Sequence, residues 1–127
     1  METAWAEAQQ GFPFKAQPLT ITAYMVDCED TADLTDPDIC KTLAIDPAML
    51  ACPWEDLWSR GETPPSWELA RRLIASGIAA IIVPSFSAGT GAADRNVVFY
   101  AWSNVMPHRV TLINDEGRLP RNPSSWV

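Results

Sequence analysis

Some residue types and motifs are scarce in this 127-residue chain, and each scarcity removes a class of function. There is one histidine, His108, and no G-x-S-x-G surrounds any serine, so a Ser-His-Asp hydrolase lacks its parts. The cysteines are Cys28, Cys40 and Cys52, an odd number with no C-x-x-C, which argues against a disulfide framework or a zinc site. A reduced, cytoplasmic compartment fits that usage best. Nine Lys and Arg face 16 Asp and Glu, for a formal net charge of −7, and no basic cluster offers a nucleic-acid footprint. No apolar run approaches the roughly 18 residues of a membrane span. The N-terminus carries no basic stretch followed by an apolar one, so it does not read as a secretory signal. The glycines of "SAGTGAADRN" are followed by no Lys-Ser/Thr and complete no G-x-G-x-x-G, which excludes a P-loop and a dinucleotide-binding turn.

What is present is ordinary globular material: 47% hydrophobic residues, with six Trp and four Phe to bury, enough for one core and one domain over residues 1–127. "METAWAEAQQGF" predicts a helix ending at Gly11, with Glu7 beside Ala4 and Ala8 on its apolar side at 100° per residue. Pro13 and Pro18 bracket a loop. "LTITAYMV" alternates, with Leu19, Ile21, Ala23 and Met25 on the face expected in the core. Asp36-Pro37 and Asp46-Pro47 each read as a helical start. "ACPWEDLWSRGETPP" is expected to be a loop or broken helix. Ser66 as N-cap and Gly77 as C′ residue bracket a helix with Trp67, Ala70, Leu73 and Ile74 at helical spacing and an exposed Glu68–Arg72 pair.

"IAAIIV" and "NVVFYAW" are apolar throughout, as central neighbouring strands would be. "HRVTLIN", closed by the turn "DEGR", is a third late strand, and 118–127 reads as a tail unless Trp126 docks. The sum is a small α+β domain around one twisted mixed sheet. Taken alone, Glu7 reads as a solvated helix residue and Ser85 as a turn serine closing the strand after Pro84. The tryptophans read as core or interface, and His108 as a strand-end residue.

The stretches "ETAWAEAQQGFPF", "LTDPDICKTLAIDPAMLACPWEDL", "PPSWELARRLIASGIAAIIVPSF" and "PHRVTLINDEGRLP", in that order, resemble the RES-domain family of bacterial toxins from toxin–antitoxin pairs. The family is named for an arginine, a glutamate and a serine. The glutamate matches Glu7 inside "TAWAEAQ" and the serine matches Ser85 inside "VPSF". The family arginine lies upstream of the glutamate helix, so the resemblance implies an N-terminally shortened domain. It further implies a fold similar to ADP-ribosylating toxins and cleavage of NAD, as substrate, at the nicotinamide–ribose bond by a phosphorylase or an ADP-ribosyl transferase. A helix-turn-helix antitoxin is the implied partner, and it would carry the DNA contacts. The alternative is a catalytically inactive module that only binds its antitoxin.

On this reading Glu7 and Ser85 are the catalytic candidates: Glu7 stabilises charge on the ribose, and Ser85 offers a hydroxyl from a rigid strand end. Phe86 as a stacking face, Asn96 at the place of a family asparagine, and Arg95 as the nearest cation are the expected NAD-binding residues. The loop after Ser85 is expected to offer amides to phosphate.

Overall fold

The computed structural model describes residues 1–9 and 20–126. The expected helix stop at Gly11, the loop between Pro13 and Pro18, the strand residue Leu19 and the docking of the Trp126 side chain lie outside what is described.

The main sheet has three strands: β2 (Thr31–Asp33), β3 (Ala80–Pro84) and β4 (Arg95–Phe99). β3 is central, parallel to β2 and antiparallel to β4. Its run of Ala, Ile and Val suits that place, and Ala80, Ile81 and Val83 are buried. The parallel pairing requires a long crossover, and the chain supplies it with helices. These are α2 (Pro37–Thr42), a 3-10 turn (Pro47–Met49), α3 (Trp54–Ser59) and α4 (Pro65–Ala75).

Local chemistry sets most of those bounds. Asp36 and Asp46 cap their helices through Oδ1, accepting from the amides of Asp38 (2.8 Å) and Ala48 (2.9 Å), with a proline at the first position of each. Gly77 follows α4 with φ +88°, a backbone state that closes a helix at little cost only for glycine. At the other end α4 begins one residue before the expected cap. Pro65, whose fixed φ and missing N–H suit a first helical position, puts Ser66 inside the first turn.

α4 buries Leu69 and Leu73, one turn apart, against Ile81 and Val83 of β3, with Ala32, Leu34, Cys40 and Ile45 completing the core. Each leucine contributes roughly 1.5–3 kcal/mol by leaving water. The predicted stripe holds at Leu73, while Ile74 is exposed and Trp67 and Ala70 are half-buried beside a cavity. Arg72 does not pair with Glu68; it donates to the Ala44 carbonyl (3.2 Å) and ties α4 to the chain after α2.

Three further expectations are corrected. The strands do not form one sheet: β1 (Ala23–Cys28) pairs only with β5 (His108–Ile113), antiparallel, as a separate two-stranded ribbon. In that ribbon Ala23 to Val26 are all exposed, while the end at Asp27, Cys28 and His108 to Val110 is half-buried. β4 is adjacent to β3 as expected, yet it is the sheet's edge among the described residues, with Val97 48% and Val98 40% exposed. Finally, no tryptophan whose side chain is described is buried, and the core is aliphatic. The overall class stands: a small α+β domain with mixed sheets. Among the described residues no helix is long and apolar enough to cross a membrane.

Candidate functional site

The site is assembled at the C-terminal end of β3. Ser85 follows directly on Pro84, and its amide still bonds the Asp94 carbonyl (3.0 Å), so the serine is held in register with β4. Across the ladder Val83 pairs with Asn96 and Ile81 with Val98, so Asn96 and Val98 share the face that α4 covers lower down. α1 (Glu2–Gln9) lies against this end.

Glu7 is where the three segments meet. Ser85 Oγ donates to Glu7 Oε1 (2.5 Å), and Asn96 Nδ2 donates to the same oxygen (2.5 Å). Residues 78 and 89 positions away thus converge on one atom. Burial by itself would raise the Glu7 pKa. Hydrogen bonds from Ser85 and Asn96 outweigh that and hold the carboxyl below its ordinary value of 4.5. Glu7 is therefore an anion at neutral pH, and both of its hydrogen bonds among the described residues go to Oε1. An anion so placed can accept from a ligand hydroxyl or stabilise a positive charge beside it.

α1 buries no residue, so its attachment is polar. The expected apolar side of Ala4, Trp5 and Ala8 does not enter the core; Ala4 and Trp5 are exposed. The inner edge is Thr3 and Glu7, one turn apart. Thr3 Oγ1 donates to Asp94, whose carboxyl it holds below the ordinary range together with the Gly91 amide.

Between Ser85 and Asp94 the loop bonds itself. The Thr90 amide and hydroxyl donate to the Ser87 carbonyl (3.2 and 2.7 Å), and the Gly91 amide donates to Asp94 Oδ2 (2.7 Å). Of the loop amides expected to be available to phosphate, those of Thr90 and Gly91 are spent inside the loop.

A cavity of about 700 Å³ opens beside Glu7, within the size range of small-molecule sites. Glu7, Phe86 and Asn96 line it, Ile81, Val83 and Val98 form part of its wall, and Trp54, Trp67 and Tyr100 add rings. Trp54 and Trp67 stand as a tilted pair, centroids 6.3 Å apart at 36°. This cavity explains the exposure of Val98, which faces open space and not a further layer.

Of the five residues singled out in the sequence, Glu7, Ser85 and Asn96 are brought into one hydrogen-bonded group, and Phe86 lies on the cavity wall beside Glu7. Ser85 itself is behind Glu7 and does not line the cavity. Arg95 stands apart. It is exposed, alternates away from Asn96 along β4, and donates to the carbonyls of Ala93 (3.0 Å) and Ala92 (3.5 Å).

Four residues went unnoticed in the sequence: Ser87, Thr3, Asp94 and Trp54 as a cavity wall. Ser87 is 5% exposed with an unpartnered Oγ, and the S-x-S pattern after β3 was the one available signal for it. The i,i+4 spacing of Thr3 and Glu7 was the signal for the polar edge of α1.

The fold and the site define a small α+β domain with a ligand-sized cavity organised on one ionised glutamate. The chain belongs to the RES-domain family: the RES domain model matches residues 1–122, nearly the whole length. That membership associates it with toxin–antitoxin modules that act on NAD. No curated protein and no solved structure matches the chain significantly, so the fold similarity to ADP-ribosylating toxins implied by the resemblance has no structural neighbour behind it.

Proposed function

We propose that this domain cleaves NAD at the nicotinamide–ribose bond, as the toxin of a bacterial toxin–antitoxin pair. The observation that carries the reading is the ionised Glu7, fixed through Oε1 by Ser85 and Asn96 beside a 700 Å³ cavity. Breaking the C1′–N bond releases neutral nicotinamide with the bonding electron pair. The ribose passes through oxocarbenium character, and an acceptor oxygen then bonds C1′. A carboxylate near the ribose stabilises that charge most at the transition state, which is where catalysis is gained. In this role Glu7 is the catalytic residue, Ser85 and Asn96 orient it, and Phe86 offers a face to the nicotinamide ring.

The test is nicotinamide release from NAD by the purified chain, with and without inorganic phosphate. Release that requires phosphate, with ADP-ribose phosphate as co-product, marks a phosphorylase. Release accompanied by labelled protein marks an ADP-ribosyl transferase. In either case Glu7→Gln loses turnover.

A second reading, an inactive RES-like module that only binds its antitoxin, is favoured by one observation. No Arg, Lys or His lines the cavity among the described residues, and Arg95 is turned to its own loop. A folded chain that binds a helix-turn-helix antitoxin and leaves NAD intact supports that reading.

A further inference from the structure

Among the described residues β1 and β5 form a ribbon of two strands only. Such a ribbon is marginal in water, and sheets of three or more strands are the stable form. Its hydrogen-bond phase is fixed by the Glu29 amide, which bonds the carbonyl of Pro107 directly opposite (3.0 Å). Antiparallel pairs alternate, so the main-chain groups of Ala23, Met25 and Asp27 face β5, while those of Tyr24 and Val26 face outward. On β5 the outward groups belong to His108, Val110 and Leu112. Ser103 covers most of that edge: its amide bonds the His108 carbonyl (2.8 Å), and its carbonyl accepts from the Val110 amide (2.8 Å). The β1 edge has no such cover. The amides and carbonyls of Tyr24 and Val26 have no partner among the described residues. The side chains along this edge are apolar and open to solvent, with Ile21, Tyr24, Met25 and Val26 each 45–56% exposed. Asp27 is neutralised within the ribbon by Arg109, and Glu29 and Asp30 beyond it are exposed.

We propose that the β1 edge is a self-association surface: it pairs antiparallel with β1 of a second copy, about a two-fold axis at Met25, and joins both ribbons into one sheet. Tyr24 of one copy then lies opposite Val26 of the other, and each outward amide gains a carbonyl. The two side chains form an aromatic–β-branched pair on one face. The same register sets Asp27, Glu29 and Asp30 opposite Ala23, Ile21 and Thr20 of the second copy. Two chains of net charge −7 thus meet with the acids of their edges held apart, whereas a parallel pairing would set those acids side by side. Because Ser103 covers most of the β5 edge, association closes at two copies and does not grow into fibres. Ile21, Tyr24, Met25 and Val26 do not line the cavity beside Glu7, so the proposal stands independently of NAD cleavage.

Pairing over about seven residues buries on the order of 1,000 Å² in all, the low end for a specific interface, so dissociation in the micromolar range is expected. The experiment is sedimentation equilibrium of the purified chain from about 1 to about 500 µM, with amide hydrogen exchange at both ends of that range. The expected result is a monomer–dimer transition. The Tyr24 and Val26 amides should exchange about tenfold more slowly at the high end, while the Met25 amide, bonded to β5, is protected throughout. Val26→Pro removes an outward amide from each copy and no bond between β1 and β5, so it should leave a folded monomer. Tyr24→Lys, which puts a charge on the exposed edge, should weaken the dimer about tenfold. A chain that stays monomeric at about 500 µM, with Tyr24 and Val26 amides exchanging freely, leaves the edge to a different chain and overturns the proposal. Growth beyond the dimer, or a dimer left intact by both Val26→Pro and Tyr24→Lys, overturns it as well.

Discussion

Replacing Glu7 by alanine is expected to loosen α1 and leave the rest of the molecule standing. α1 has eight residues and buries none of them. An isolated helix of that length is unstable in water, since isolated helices below about 12 residues are marginal at best. Its docking therefore depends on contacts such as Thr3 to Asp94 and the pair of bonds into Glu7. A hydrogen bond to a charged group is worth about 1.5–3 kcal/mol, and the half-exposed setting of Glu7 brings each of its two nearer to about 1 kcal/mol. Losing both costs about 2 kcal/mol, which is about 30-fold in the opening equilibrium of the helix. Amide hydrogen exchange reads this directly: the Trp5 to Gln9 amides should exchange about 30-fold faster, while the Ile81 and Val83 amides in β3 keep their rates. Glu7→Gln is the control. Both donors use Oε1, so a glutamine can present its carbonyl oxygen to both and put its NH₂ in place of Oε2. Its exchange should stay within a few-fold of the parent. Unchanged protection of α1 in the alanine variant would refute the polar docking. Equal acceleration in β3 would show that α1 is not a separate unit.

The same geometry sets a pH dependence. Because the folded state lowers the Glu7 pKa, its contribution is complete above the ordinary value of 4.5 and disappears as pH falls through the lowered value, so α1 exchange should accelerate on acidification and Glu7→Gln should flatten that rise. Glu7→Gln should also reduce nicotinamide release by about 10²–10³-fold with an unchanged circular dichroism spectrum, since the removed charge acts at the transition state. Val83→Asp places a carboxylate at a position 8% exposed in the core, and denaturant titration should find a loss on the order of 3–5 kcal/mol or an insoluble protein. Leu69→Ala, 2% exposed between α4 and β3, should lower stability by about 2–5 kcal/mol in the same titration, and a loss below 1 kcal/mol would contradict the packing described.

The sequence by itself determined the features whose physics is local. Asp-Pro at 36–37 and 46–47 starts two helical turns, because the aspartate bonds an amide two residues on and the proline presets φ. Gly77 ends α4 because glycine adopts a positive φ without strain. The apolar run before Pro84 is a central strand because both its faces must be covered. Glu7 and Ser85 were picked out by the resemblance of their stretches to the RES family, since taken alone they read as a solvated helix residue and a turn serine. What the tertiary structure decided is where distant segments meet. The run "NVVFYAW" is as apolar as "IAAIIV", yet it lies at an edge and turns Val98 to a cavity, since composition does not state which neighbour a strand acquires. β1 and β5 left the main sheet for a ribbon of their own, a choice made by pairing between residues some 80 positions apart. Asn96 and Arg95 are adjacent in sequence and go opposite ways, because the register of β4 on β3 turns one side chain towards Glu7 and the other towards its own loop. The meeting of Ser85 and Asn96 on a single oxygen of Glu7 comes from that register and from the docking of α1, neither of which has a local period to betray it.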